Sequence, residues 1–171
     1  ELIHDISKKN IFGPCANYVF VKEFQKRGLP HEHICVGLKD GIKFQRADVI
    51  DCYVSAELPD PNEEPELFKL VTKFMIHGKC GKDNMNAPCM RDGRCSKKYP
   101  KEFREETTVD ANGYPLYRRR DNGRTVMIKG KVYDNRDVVP YNKYLLLKYG
   151  CHINIEVVAN DRIVKYLHKY L

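Results

Sequence analysis

The hydrophobic and polar positions of the first half of the chain follow helical and extended patterns in turn. Residues 1 to 9 (ELIHDISKK) space their apolar side chains as a helix does, so they predict a short amphipathic helix. Residues 17 to 25 (NYVFVKEFQ) are β-branched and aromatic, and the turn KRGLP leads from them into HEHICVGL. Such a pair of runs around a short turn predicts an antiparallel hairpin.

Two further helices are expected before residue 80. One is FQRADVIDCYV, and the other is PELFKLVTKFMIHG, which places Leu67, Leu70, Val71 and Phe74 on one face. Between them lies ELPDPNEEPE, with five acids, three prolines and no basic residue, which predicts an exposed connection. Residues 77 to 112 are rich in Cys, Gly, Pro, Lys and Arg and show little periodicity.

The second half predicts a hairpin, a strand and a final helix. YPLYRRR and RTVMIKGKVY flank DNG, a strong hairpin signal, and CHINIEVV is typical of a strand. NDRIVKYLHKYL predicts a helix with Asn160 as its N-cap. Helices alternate irregularly with hairpins, so the predicted class is α+β, with an antiparallel sheet flanked by helices.

Charge is concentrated in one region of this chain of 171 residues, a length typical of a single domain. The net charge is +7, and residues 91 to 136 carry 13 basic and 7 acidic side chains. Such clustering favours a surface that meets phosphates, although a solvated charged face has the same composition. ELIHDISKKN contains no apolar leader and no run approaches 18 apolar residues, so neither a signal peptide nor a membrane span is expected.

Two histidines lie one residue apart in the predicted hairpin. His31 and His33 share one face of their strand, and Glu23 and Gln25 share a face of the neighbouring strand. Neutral imidazoles with an oxygen ligand could hold a hard divalent cation, whereas a satisfied surface pair is the alternative.

The final helix places Tyr166 and Tyr170 four residues apart, with Lys169 alongside. Aromatic pairs at this spacing are usually core residues. A neighbouring ammonium and a metal would, however, lower the cost of a phenolate nucleophile, which is about 4 kcal/mol at pH 7.

Residues 77 to 98 form a Cys/His-rich segment with zinc-ligand spacing. His77, Cys80, Cys89 and Cys95 fit H-x2-C-x8-C-x5-C, so four N/S ligands fall within 19 residues. This set suits a tetrahedral structural zinc, and free thiols in a loop are the alternative. A segment without an apolar pattern of its own would need a bound metal of this kind to hold one conformation.

A basic run with interleaved tyrosines follows. Arginines and aromatic rings can pair with phosphates and stack on unpaired bases, so single-stranded DNA contact is favoured over an ordinary charged surface. The candidate DNA-binding residues are Tyr117, Arg118, Arg119, Arg120 and Arg124, together with Lys97 and Lys98.

Several motifs in order resemble one known family. EFQKRGLPHEHI, SAELPDP, MIHGKCG…PCM…GRCSKKYPKEF, GYPLYRRRDNGR, VVPYNKYLLLKYGCHINIEV and VKYLHKY are together similar to the Rep (helicase-like) domain of Helitron transposases, within the HUH endonuclease superfamily. The resemblance implies one Rep/HUH-like domain over residues 1 to 171, with a Cys-rich zinc-type insertion at 77 to 98. The family's first strand has no counterpart here, and no phosphate loop of a following helicase occurs.

The resemblance also implies an activity and a site. The family nicks single-stranded DNA through a 5′-phosphotyrosine intermediate in rolling-circle replication and transposition. His31 and His33 correspond to its metal-binding pair, and Gln25, with Glu23 as the rival, corresponds to a third ligand of Mg²⁺ or Mn²⁺. Tyr166 and Tyr170 correspond to its two tyrosines, and Lys169 corresponds to the lysine that follows the tyrosine in many Rep proteins. Glu32 stands at the usually hydrophobic position between the histidines and is expected to point away from the metal.

The expected partners are single-stranded DNA and a helicase domain normally in the same polypeptide, and the expected location is the nucleus. Two other functions stay open. One is an inactive, zinc-stabilised DNA-binding remnant of a transposase, and the other is a metal-dependent hydrolase that uses water as its nucleophile.

Overall fold

The computed structural model describes residues 1–24, 30–39, 44–110 and 114–158. These residues form two compact units. One contains the described residues up to Arg46 together with Val158, and the other is Ala47–Val157. In the part of the chain that the structure describes, no helix is both long and apolar enough to cross a bilayer.

The first unit contains a short helix and a hairpin, as predicted. Helix α1 spans Leu2–Ser7, and strands β1 (Cys15–Phe24) and β2 (Pro30–Leu38) pair antiparallel. Glu23 lies opposite His31 in this register, and Val21 lies opposite His33. Side chains directly opposite each other in an antiparallel pair share a face, so both histidines and Glu23 lie on the same side of the hairpin.

Three helices and a hydrophobic core build the second unit. Helix α2 spans Ala47–Tyr53, α3 spans Pro65–Phe74 and α4 spans Lys143–Tyr149. The predicted apolar face of α3 is confirmed, because Leu67 and Val71 are buried and Leu70 and Phe74 pack against the same cluster. The main hydrophobic cluster contains the buried residues Leu58, Leu67, Val71, Met75, Val138, Tyr141 and Leu146.

The α+β class is confirmed, but its sheets are small. In place of one sheet flanked by helices, the described residues form four separate two-stranded antiparallel sheets. The three hairpins of the second unit are β3 (Met90–Arg91) with β4 (Arg94–Cys95), β5 (Thr108–Val109) with β6 (Pro115–Leu116), and β7 (Val126–Ile128) with β8 (Lys131–Tyr133).

The hairpin predicted around DNG is wrong. The turn lies instead at Lys129 and Gly130, whose φ values of 50° and 72° are those that a two-residue primed turn requires. The run YPLYRRR does not reach across DNG, because its Pro115–Leu116 pairs backward with Thr108–Val109. Of the arginines that follow, Arg118, Arg120 and Arg124 pair with acidic residues from elsewhere in the unit.

The strand predicted for CHINIEVV is also wrong. Residues 151–158 are assigned to no strand, and isolated bonds hold them instead. The backbone N–H of Ile155 donates to the carbonyl of Pro140 at 3.1 Å, and that of Val157 donates to Tyr117 Oη at 2.8 Å. The predicted final helix with its N-cap Asn160 lies outside the described residues.

The segment ELPDPNEEPE is exposed only in its second half. Glu57, Leu58 and Pro59 are buried, whereas residues 61–63 are exposed. Tyr141 Oη donates to the carbonyl of Glu57 at 3.0 Å, and the side-chain oxygen of Asn135 accepts from the N–H of Leu58 at 2.7 Å. The prediction failed because it treated the acids as solvated, whereas basic side chains neutralise them inside the fold.

Candidate metal centres and nucleic-acid interface

The two histidines of β2 lie side by side, as the strand spacing predicts. Their ring centroids are 4.7 Å apart with the ring planes at 68°. Glu32 lies opposite Lys22 in the strand register and pairs with it at 3.3 Å. Because side chains alternate along a strand, this ion pair lies on the opposite face from the histidines.

Glu23 supplies an oxygen beside the histidine pair. Its carboxylate Oε2 lies 3.5 Å from His33 Nε2, which is longer than an ordinary hydrogen bond. Two ligand atoms at this separation can both reach one cation at about 2.1 Å each. In the part of the chain that the structure describes, His31, His33 and Glu23 do not form a cluster of metal-ligating atoms as close as the Cys/His set below. A divalent cation at the histidine pair stays a prediction, and the rival ligand Gln25 lies outside the described residues.

The second unit brings together the four residues predicted as zinc ligands. The ligand atoms of His77, Cys80, Cys89 and Cys95 all lie within 4.8 Å of one another. His77 Nε2 is 3.7 Å from Cys80 Sγ and 3.6 Å from Cys95 Sγ. A tetrahedral zinc with Zn–N near 2.05 Å and Zn–S near 2.3 Å separates N and S by about 3.6 Å, so the cluster is compatible with zinc.

Backbone geometry explains how an aperiodic segment forms this cluster. Asp92 and Gly93 have φ values of 49° and 75°, which close the β3–β4 hairpin as a primed turn and place Cys95 close to Cys89. The other end is tied to the core, because the N–H of His77 donates to the carbonyl of Asp137 at 2.8 Å.

The electrostatics of the cluster favour a bound cation. Burial lowers the pKa of His77, against the influence of the Asp137 carboxylate, so its imidazole is held in the neutral form that binds metal. Burial and the neighbouring thiols of Cys89 and Cys95 raise the pKa of Cys80 to about 12. A positive ion at the cluster would offset this cost of ionising the Cys80 thiol.

Sequence reasoning missed the role of Tyr99. Its ring stacks on the His77 imidazole, with centroids 4.1 Å apart and planes at 11°, and its backbone N–H donates to Cys95 Sγ at 3.4 Å. The only available signal was an aromatic residue four positions after the last cysteine. Tyr99 therefore orients two of the four candidate ligands.

The basic run is largely compensated by acidic residues that the sequence places far away. Arg120 makes a two-pronged contact with Glu57, with Nε at 3.0 Å from Oε1 and the terminal nitrogen at 2.7 Å from Oε2. Arg118 lies 3.5 Å from the same carboxylate and 3.4 Å from Asp51, and Arg124 pairs with Asp60 at 2.7 Å.

Arg119 is buried, at 4% exposure. Its terminal nitrogen donates to the carbonyls of Ala56, Asn135 and Val138 at 3.2, 2.6 and 2.7 Å. Contact with DNA by Arg119 was expected from the sequence, but in this structure the guanidinium is not available to a phosphate. Its role is to satisfy backbone carbonyls inside the second unit.

The remaining candidates differ in accessibility. Lys97 and Lys98 are exposed directly after the zinc-type cluster. Tyr117 is half-buried, and burial raises the pKa of its hydroxyl, which accepts the Val157 N–H. Tyr166, Lys169 and Tyr170 lie outside the described residues. Roles in DNA contact and catalysis for these residues stay predictions.

The first part of the chain is similar to a known protein family. A family model described as the Helitron helicase-like domain at the N-terminus matches residues 1–36. No curated protein matches the chain. The matched stretch contains α1, β1 and the histidine pair of β2, and over these 36 residues the chain is similar to the Helitron family model.

Proposed function

We propose that this chain is a metal-dependent, HUH-type single-stranded DNA endonuclease and strand transferase of Helitron-type rolling-circle transposition. One observation carries the proposal. The His31–His33 pair, with the Glu23 carboxylate opposite, lies inside the stretch that matches the Helitron model. Imidazole and carboxylate groups bind divalent cations, and a bound cation can polarise a phosphodiester.

The histidine face would bind and orient the scissile phosphate. His31 and His33, completed by Glu23 or Gln25, would hold Mg²⁺ or Mn²⁺, which when bound withdraws charge from the phosphate oxygens. A tyrosine, Tyr166 or Tyr170, would attack the phosphorus through its phenolic oxygen. The new bond is Oη–P, the broken bond is P–O3′, and the phenolic proton is balanced by protonation of the departing 3′-oxygen.

Lys169 would assist the attacking tyrosine. An ammonium beside a phenol stabilises the phenolate, which otherwise costs about 4 kcal/mol at pH 7. The 5′ end of the cleaved strand stays attached to tyrosine, so the second tyrosine can accept another strand before the first is released. This pairing would convert a nicking reaction into strand transfer.

The Cys/His cluster has a structural part in the proposal. With zinc bound, His77, Cys80, Cys89 and Cys95 would fix the segment that precedes Lys97 and Lys98 and present these lysines to DNA. In this proposal the zinc at the Cys/His cluster stabilises the second unit, and a different cation, at the histidine pair, takes part in cleavage.

The test is a search for a covalent protein–DNA adduct. The chain is incubated with Mn²⁺ and single-stranded oligonucleotides labelled at the 5′ or the 3′ end, and products are separated on a denaturing gel. We expect an adduct that keeps the 3′ label and disappears in the Tyr166→Phe/Tyr170→Phe double variant. Tyr149→Phe, a change on α4, is the matched control and should leave the adduct unchanged.

Two outcomes would replace the proposal. Cleavage that survives in the double variant without an adduct would indicate a hydrolase that uses water. Metal-independent DNA binding with neither cleavage nor adduct, in folded zinc-loaded protein, would indicate the inactive DNA-binding remnant. The second alternative is favoured only by the Cys/His cluster, which needs no catalytic role.

A further inference from the structure

A cleft in the second unit is lined by basic residues that the sequence motifs do not single out. It has a volume of about 490 Å³ and opens between the end of α3, the residues after His77, and the β7–β8 hairpin. Four of its lining residues are lysines, and none is acidic: Lys73, Lys79, Lys129 and Lys131.

The lysines differ in how far they are already neutralised. Lys79 pairs with the buried carboxylate of Asp137 at 2.7 Å and lies over the Tyr133 ring at 4.7 Å. Lys73, Lys129 and Lys131 are exposed. Lys131 donates to the backbone carbonyl of Asp83 at 3.4 Å, a contact that leaves its charge uncompensated. At least three positive charges therefore face the cleft without a carboxylate among its lining residues.

This arrangement contrasts with the arginine run at 118–124. There, Glu57, Asp51 and Asp60 pair with three guanidinium groups, and the fourth is buried. A concave surface lined by one sign of charge concentrates the electrostatic field, which paired charges do not. Within the described part of the second unit, the lysine cleft is therefore a better candidate for an anion site than the arginine run, because its ammonium groups are mostly not paired with carboxylates.

We propose that the lysine cleft binds the sugar–phosphate backbone of single-stranded nucleic acid. The choice of nucleic acid among polyanions rests on the proposed function, whereas the anion site itself rests on the cleft. Lysine ammonium groups contact phosphates as point charges without reading sequence. Tyr133 is only 7% exposed, and the Lys79 ammonium lies over its ring. The Tyr133 ring is therefore not accessible for stacking on bases.

The experiment measures the salt dependence of binding. Fluorescence anisotropy gives the affinity of the zinc-loaded chain for a labelled oligo-dT across a series of salt concentrations, without added Mg²⁺ or Mn²⁺. Lys129→Gln/Lys131→Gln should weaken binding about tenfold at low salt and reduce the slope of log K against log [salt] by about 1.4, or 0.7 for each phosphate contact. Both side chains are exposed, so the variant should fold.

Lys8→Gln/Lys69→Gln is the matched control, because it removes the same charge from two exposed lysines that do not line the cleft. Its slope should equal that of the unmodified chain. An unchanged slope in the cleft variant, or an equal fall in both variants, would overturn the proposal. Tripolyphosphate that displaces the oligonucleotide as well as unlabelled oligo-dT does, at equal phosphate concentration, would also overturn it and indicate a small-anion site.

The adduct assay is read separately on the same variants. A reduced slope in the cleft variant, in a chain that forms no adduct, would support the cleft while the endonuclease proposal fails. If the chain forms the adduct but the cleft variant does not change the salt slope of binding, the endonuclease proposal is supported and the cleft proposal fails. The two failures are therefore distinguishable.

Discussion

At the scale of single residues, Glu57 is the acid on which the arginine run converges. Its carboxylate accepts hydrogen bonds from the side chain and the backbone N–H of Arg120, and Arg118 lies 3.5 Å away. Burial acts to raise the pKa of Glu57, but the hydrogen bonds and positive charges of these arginines outweigh it and hold the pKa below its usual value of 4.5. The ionised form is therefore favoured by folding.

A lowered carboxyl pKa makes stability depend on pH in a defined direction. The contribution of Glu57 is fully present above its unfolded pKa and is lost as the pH falls through the lower folded value. Glu57→Gln should reduce the free energy of unfolding at pH 7 by about 2 kcal/mol, since charge-assisted hydrogen bonds are lost. The difference from the unmodified chain should shrink progressively below pH 4.5, as measured by urea unfolding.

Glu63→Gln, at an exposed position of the same segment, is the control and should leave the urea midpoint nearly unchanged. A Glu57→Gln effect that stays constant from pH 7 to pH 3 would mean that ionisation of Glu57 does not contribute to stability.

Arg119 gives a second prediction at this scale. Arg119→Met leaves three carbonyls without their donor, so we expect a loss of about 3 kcal/mol or more in unfolding free energy. The affinity of the folded protein for single-stranded DNA should be preserved. Arg91→Met, at an exposed position, should affect neither quantity. A large loss of DNA affinity with stability intact would restore Arg119 to the interface.

Composition predicted that the arginine run carries function, but it could not predict the direction of each side chain. Arg120 and Glu57 are 63 residues apart, and they meet in a fold in which the neighbouring Leu58 is part of the core. Burial and charge pairing are decided by such long-range contacts. The spacing of the Cys/His ligands, by contrast, lies within 19 residues and could be predicted from the sequence.

At the scale of elements, the β3–β4 hairpin and its cysteines form the part most dependent on a ligand. Cys95→Ser should abolish zinc binding, measured as metal content after dialysis. It should also increase hydrogen exchange over residues 77–99, because this segment has few apolar contacts to hold it. Global unfolding of the α3–α4 core should be affected less.

Cys151→Ser is the matched control, since Cys151 is exposed and lies outside the cluster. It should keep the full metal content. Zinc retained at one equivalent by the Cys95→Ser variant would remove Cys95 from the ligand set.

Elements with strong local sequence patterns were predicted correctly, whereas strands that need a particular neighbouring strand to pair with were not. Helices α1 and α3 and the β1–β2 hairpin have regular periods over six to ten residues. CHINIEVV has the alternation of a strand, yet it makes isolated hydrogen bonds, among them to Pro140 and Tyr117, in place of a strand ladder. A strand requires a neighbour, and the sequence pattern does not say whether one is present.

At the scale of the whole molecule, the histidine pair and the basic surfaces belong to different units. The His31→Ala/His33→Ala variant should therefore lose nicking and adduct formation while keeping most of its affinity for single-stranded DNA. Anisotropy and the adduct gel measure the two properties on one preparation. A parallel loss of both would contradict this separation of binding from cleavage.

The bond between Glu57 and the arginine run has a consequence for how this sequence can change over generations. Replacing Glu57 alone would leave the positive charges of Arg118 and Arg120 close together without the carboxylate between them. Replacing Arg120 alone would leave the buried Glu57 carboxylate without its main partner. Substitutions at positions 57 and 120 should therefore be inherited together, so that distant relatives show either both residues or neither.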